Sequence, residues 1–149
     1  MNKSQLKVLV VDDDEEFVSA VKELLERNNY EVVTAFSGRE ALKIAAEVPN
    51  INIALLDLVM PMMDGFTLLE KLKDIVFGLT VIMITGQGTV QTAVDAIKHG
   101  ASDFITKPFD KDVLLKKLEV TRKSYELENK LGELKQIISQ KYGFENIIS

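Results

Sequence analysis

The sequence predicts a doubly wound α/β domain, a five-stranded parallel sheet with helices on both faces, extended by a long C-terminal helix. Five short runs rich in branched apolar residues recur along the 149-residue chain, segments of helical period separate them, and three of the runs are apolar without alternation. Unbroken apolar runs mark strands buried on both faces, as parallel strands under crossover helices are. Five alternations of strand and helix then require right-handed crossovers in one open sheet.

The first strand is Lys7 to Val11. A helix over Glu15 to Asn28 follows, with Phe17, Val18, Val21, Leu24 and Leu25 on one stripe. The second strand, Glu31 to Ala35, leads to Ser37-Gly38-Arg39-Glu40, a capping box in which Ser37 and Glu40 satisfy each other's free backbone N–H groups. The third strand is Ile53 to Leu56, and Asp64 is placed to cap a helix running through Leu72. The fourth strand, Thr80 to Ile84, precedes a helix capped by Gly88 or Thr89 and stopped at Gly100, a natural left-handed C-cap. Asp103 to Thr106 is the fifth strand.

From Asp110 the last helical pattern outruns the domain. Val113, Val120, Leu127 and Leu134 repeat every seven residues, and Leu131 and Ile138 sit four after Leu127 and Leu134, the a/d spacing of a coiled-coil seam. Lys117 and Ser124 take the corresponding positions upstream, so the seam is well formed only over 127–138. One helix is expected, starting as the fifth helix of a domain over residues 1–122 and continuing as a linker over 123–141. Val120, Leu127, Leu131, Leu134 and Ile138 are its expected homodimer seam; a solvated, fraying tail is the plain alternative.

Composition narrows the chemistry. The absence of cysteine removes disulfides, zinc knuckles and cysteine nucleophiles, and a single histidine removes most metal triads. Val8 to Val11 is too short for a signal-peptide core, and no run approaches the roughly 20 apolar residues that span a bilayer. A cytoplasmic protein without membrane contact is expected. Residues 1–109 carry 10 basic and 16 acidic side chains and residues 110–149 carry 8 and 7, so neither part has the basic footprint of direct nucleic-acid binding.

Ligands of open α/β sheets bind beyond the carboxyl ends of the strands. Asp12, Asp13 and Asp14 follow the first strand, Asp57 the third, Thr85 and Gly86 the fourth, and Lys107-Pro108 the fifth. Crowded carboxylates repel unless a cation intervenes, and an all-oxygen cluster suits Mg²⁺. Asp12, Asp13 and Asp57 are the expected ligands, with the Val59 backbone carbonyl and water completing the shell. A Mg²⁺ ion that keeps water positions open also takes phosphate oxygens; Lys107 adds a mobile cation, Thr85 a hydroxyl donor, and Gly86 space. An ionised Asp is already a nucleophile, whereas Ser and Thr need a base, so Asp57 is the expected phosphoacceptor.

The runs VLVVDDD (Val8 to Asp14), LLDLVMPMMDG (Leu55 to Gly65), VIMITG (Val81 to Gly86) and GASDFITKPF (Gly100 to Phe109) together resemble the receiver domain of two-component response regulators over residues 5 to 122. The resemblance implies the flavodoxin-like strand order 2-1-3-4-5. It implies that Asp57 takes its phosphoryl group from the phosphohistidine of a sensor histidine kinase, with Asp12 and Asp13 holding Mg²⁺ and Thr85 and Lys107 contacting the phosphoryl oxygens. It further implies a cis Lys107-Pro108 peptide and a switch in which Phe104 turns inward as Thr85 moves toward the phosphate.

Gly86-Gln87-Gly88-Thr89-Val90, with Ala93-Val94 and Gly100-Ala101, resembles more narrowly the receivers of sigma-54-dependent activators of the nitrogen-regulator class. Tyr142 to Ile148 is similar to the segment that opens the AAA+ ATPase domain of those activators. On that resemblance residues 142–149 begin an AAA+ domain absent from this chain, which has no GxxxxGK[ST] phosphate loop. The chain is then the regulatory front of a longer protein: a phosphoacceptor switch rather than an enzyme, dimeric through the linker helix or a receiver face.

Local readings compete at several positions. Asp12 to Asp14 followed by Glu15 and Glu16 also suits a helix N-terminus, and Asp14 is read as a cap or outer-shell group. Phe104 also suits a core position, His99 a helix C-terminal charge partner, and Met60, Met62 and Met63 adaptable packing. Asp57 lacks such an excuse, because an unpaired charge in an apolar strand end is costly. A Mg²⁺-dependent phosphohydrolase with Asp57 as nucleophile is the enzyme alternative, but the haloacid-dehalogenase-like pattern wants a second Asp where Val59 stands. A flavin module lacks its phosphate loop after the first strand. A phosphorylation-independent scaffold would have lost a pocket residue, and all five are present.

Overall fold

The computed structural model describes residues 5–142. Within residues 1–114, one compact unit, the described chain forms β1 (Lys7–Val11), α1 (Glu15–Arg27), β2 (Glu31–Ala35), α2 (Gly38–Glu47), β3 (Ile51–Leu56), the short β4 (Val59–Met60) and β5 (Met63–Asp64), α3 (Gly65–Ile75), β6 (Thr80–Thr85), α4 (Val90–Lys98) and β7 (Asp103–Thr106). The five long strands pair in parallel in the order β2-β1-β3-β6-β7, which is 2-1-3-4-5 when they alone are counted. The antiparallel β4–β5 hairpin is an addition the sequence pattern does not signal, because two-residue strands carry no period.

Side chains alternate across the sheet. Leu9, Val11, Ala54, Leu56, Val81 and Met83 enter one buried cluster with Ala41 and Ala45 of α2, Leu68, Leu69 and Leu72 of α3, and Ala96 of α4. The intervening Val8, Val10, Ile53, Leu55, Ile82 and Ile84 are also buried, as are Val18, Val21 and Leu25 of α1. Each fully buried Leu, Ile or Val contributes about 1.5–3 kcal/mol relative to exposure, so the sheet is anchored from both faces and its carboxyl edge is held in place.

The caps refine the expected starts. Ser37 accepts from Glu40 N, but the Glu40 carboxylate takes Phe36 N rather than the Ser37 N–H. Asp64 occupies the N-cap of α3 without a side-chain bond to the helix backbone; its carboxylate accepts instead from Thr67 Oγ1 at 3.5 Å. Thr89, not Gly88, caps α4, in a reciprocal box with Thr92. The helix ends at His99 and Gly100, whose φ of 111° only glycine adopts readily.

α5 runs unbroken from Lys111 to Tyr142, and its residues from Leu115 onward belong to a second unit. Val120, Leu127, Leu131, Leu134 and Ile138 are all exposed on it. Of residues 142–149, expected to open an AAA+ domain, Tyr142 is the last residue of α5 and 143–149 lie outside the described residues. Among the described residues no helix is long and apolar enough to cross a membrane.

Candidate functional site

Backbone pairing brings the strand ends into line. Val11 is in register with Leu56 and Ala35, Leu56 with Met83, and Thr85 with Thr106. Three of the site residues then donate their own N–H to the end of a neighbouring strand: Asp12 to Ala35 O at 3.2 Å, Asp57 to Val11 O at 3.1 Å and Lys107 to Thr85 O at 2.9 Å. Residues distant in sequence are fixed by the same hydrogen-bond network that builds the sheet, which makes the site rigid at its base.

Asp12, Asp13 and Asp57 each offer a carboxylate oxygen, all within 4.8 Å of one another. Asp12 is 1% and Asp57 8% exposed, whereas Asp13 is open to solvent. Asp12 Oδ1 accepts from Asp14 N at 3.0 Å, and Oδ2 accepts from Lys107 Nζ at 2.6 Å. Asp57 Oδ1 accepts from Val59 N at 3.1 Å, and its Oδ2 lies 3.6 Å from Lys107 Nζ. Burial pushes the Asp12 carboxyl above the usual range, outweighing the Lys107 and Asp14 N–H bonds that pull it down. A cluster of three carboxylates with no histidine or cysteine in it, and with the single Lys107 ammonium bonded within it, fits a hard divalent cation such as Mg²⁺.

Thr85 ends β6, in register with Thr106, the residue before Lys107. It is fully buried, and its Oγ1 accepts from Gln87 N at 3.2 Å, which leaves the hydroxyl proton for another acceptor. A Cβ at Gly86 would meet nothing within 4 Å, so the space beside Thr85 is open. The Lys107-Pro108 peptide is cis. Val59 lies on β4, and Phe104, on β7, is half-buried against the apolar cluster.

Some positions are structural. Asp14 caps α1 by accepting from Glu16 N and Phe17 N. His99 Nδ1 pairs with Glu70 Oε2 at 3.0 Å and stacks on Phe66. One residue of the site escapes sequence reasoning: the Phe17 ring lies under Lys107 Nζ, 4.0 Å from its centroid, and Phe109 meets that ring edge-on at 6.1 Å and 79°. Helical period marks Phe17 only as a stripe residue, and nothing local signals a lysine 90 positions away.

A family model, that of the response regulator receiver domain, matches residues 8–119. The chain belongs to the response regulator receiver family. It is thus a receiver domain of two-component systems. A putative NtrX-like response regulator of Rickettsia bellii is 37% identical over 144 residues, covering 91% of this chain and 30% of the relative. The alkaline phosphatase synthesis transcriptional regulatory protein PhoP of Bacillus subtilis is 34% identical over 136 residues, covering 87% and 55%. The receiver thus spans about a third to a half of these relatives. A CheY-like receiver domain protein from Methanospirillum hungatei superposes with a TM-score of 0.78 at 34% identity, covering 84% of this receiver and 99% of that chain.

Proposed function

We propose that this receiver is a phosphorylation-operated switch in which Asp57 accepts a phosphoryl group from the phosphohistidine of a sensor histidine kinase, in a Mg²⁺-dependent reaction. One observation carries the reading: the Asp57 carboxylate shares its cluster with Asp12 and Asp13 while Lys107 Nζ stands 3.6 Å from its Oδ2. The Val59 N–H orients the Asp57 carboxylate. An Asp57 oxygen attacks phosphorus, the P–N bond to the donor imidazole breaks, and the leaving nitrogen keeps the electron pair.

Asp12, Asp13, Asp57 and the Val59 carbonyl are the proposed Mg²⁺ ligands, and the ion when bound offsets the charge of carboxylates and phosphoryl oxygens. Lys107 brings a second positive charge, and Thr85 a hydroxyl whose proton is free for a phosphoryl oxygen. As Thr85 moves toward the phosphate, Phe104 turns inward. The receiver turns over at most its own phosphoryl group.

The proposed output is a changed homodimer through Val120, Leu127, Leu131, Leu134 and Ile138, with a receiver face as the other possible interface. In a longer, cytoplasmic regulator it would control the AAA+ domain of a sigma-54-dependent activator. The NtrX-like relatives, of which the chain spans 30%, support this choice of output. Mass spectrometry after incubation with acetyl phosphate and Mg²⁺ tests the core of the reading. A base-labile adduct of one phosphoryl group is expected on the wild type and none on Asp57→Asn; its absence from both overturns the switch.

A further inference from the structure

We infer that Phe17 is a positioning residue for Lys107, holding the ammonium between Asp12 and Asp57 through its ring face. The inference deepens the proposed phosphoryl transfer and rests on it. Lysine is a point charge on a flexible four-carbon stem, and the Lys107 side chain keeps 22% of its surface exposed. Its ammonium has three hydrogens and three neighbours: Asp12 Oδ2 at 2.6 Å, Asp57 Oδ2 at 3.6 Å and the Phe17 ring centroid at 4.0 Å.

Phe17 is itself held. Its backbone N–H donates to Asp14 Oδ1 at 3.2 Å in the first turn of α1, and Phe109 braces the ring edge-on. The negative face of an aromatic ring attracts a cation without carrying net charge. A third carboxylate there would hold the ammonium too, but it would repel the arriving phosphoryl group. The ring anchors Lys107 and leaves its charge available to the phosphoryl oxygens. Phe17 and Lys107 are brought together only by the crossing of α1 and the β7–α5 connection at one sheet edge.

Two variants separate this role from simple packing. Phe17→Leu keeps an apolar side chain and removes the ring; Phe17→Tyr keeps the ring. Lys107 ε-methylene protons should be shifted upfield by the ring in the wild type and in Phe17→Tyr, and should return to ordinary values in Phe17→Leu, read by NMR on metal-free protein. Phosphorylation by subsaturating acetyl phosphate with Mg²⁺ should slow about two- to fivefold in Phe17→Leu and recover in Phe17→Tyr. A small donor removes kinase docking from the comparison. An unshifted Lys107 in the wild type, equal rates in Phe17→Leu and wild type, or a Phe17→Tyr as slow as Phe17→Leu would each overturn the inference alone. Absence of any Asp57-dependent adduct on the wild type would overturn the phosphoacceptor reading and the inference with it.

Discussion

Lys107 Nζ donates to Asp12 Oδ2 at 2.6 Å across 95 positions of the chain. On the proposed Mg²⁺ site the ammonium occupies an oxygen that the ion would use, so the two cations would compete for one carboxylate. Lys107→Met should raise Mg²⁺ affinity by about three- to tenfold in calorimetric titration. The same variant should slow phosphorylation by acetyl phosphate about tenfold or more, because a cation facing the phosphoryl oxygens is lost. Unchanged Mg²⁺ affinity would mean that the pairing does not hold Asp12 in solution.

Asp12 carries a pH signature. Its folded-state pKa lies above the ordinary value of 3.8, chiefly through burial. The folded state therefore binds this proton more tightly than the unfolded chain does. That contribution is fully present below pH 3.8 and is lost as pH rises through the folded pKa, so the ionised group costs stability at neutral pH. Asp12→Asn keeps an acceptor for Asp14 N and should raise the Tm of metal-free protein at pH 7, the gain shrinking on acidification. A lowered Tm at pH 7 would show that the Lys107 pairing outweighs burial.

Gly65, the first residue of α3, packs against the backbone of Asp57 and Leu58. A Cβ there would lie 2.6 Å from Leu58 O, 2.7 Å from Leu58 Cα and 2.9 Å from Asp57 O, and backbone cannot yield as a flexible side chain can. Gly65→Ala should destabilise by about 3 kcal/mol in urea denaturation and slow phosphorylation by displacing Asp57. Gly86→Ala, in open space, is the control and should stay within about 0.5 kcal/mol of wild type.

Met62 sits in the left-handed region at φ 67° with its side chain fully exposed. No packing compensates that conformation, which costs a non-glycine residue roughly 1–2 kcal/mol. Allowing for the greater entropy loss of glycine, Met62→Gly should stabilise by about 0.5–1 kcal/mol, read as a higher urea midpoint. Among the described residues the other non-glycine positions of positive φ, Asn29 and Asn50, are of the type that tolerates it and should gain less from the same change.

The apolar seam of α5 sets the expected oligomer. Leu127→Glu combined with Leu131→Glu places like charges in a seam that would otherwise bury leucines and should convert dimers to monomers in sedimentation equilibrium. A dimer that survives both changes would place the main interface on the receiver face. A wild type that stays monomeric at every concentration would remove the dimer from the proposed output.

Much of the site is legible from local pattern. Asp12, Asp57, Thr85 and Lys107 each follow or close an apolar run, and parallel strands must present such ends to one edge. The capping of α2 is only half legible: Ser37 behaves as a short polar residue before a helix should, but Glu40 has two N–H groups within reach, and the backbone path selects Phe36. Phe17 reads as core stripe because period reports which face of a helix is apolar, and not which cation arrives over it.

Element types, their order, the parallel sheet and the acidic and basic identities of the pocket are properties of local pattern, since apolar period, caps and strand-end residues act within a few positions. The partners and ionisation of those residues belong to the assembled sheet. Asp12 is pushed toward its protonated form by burial, held by Lys107 from the far end of the domain, and Lys107 is in turn met by Phe17. Desolvation and pairing depend on which distant side chains share a volume, and only the folded chain brings α1, β1, β3 and the β7–α5 connection to the same edge.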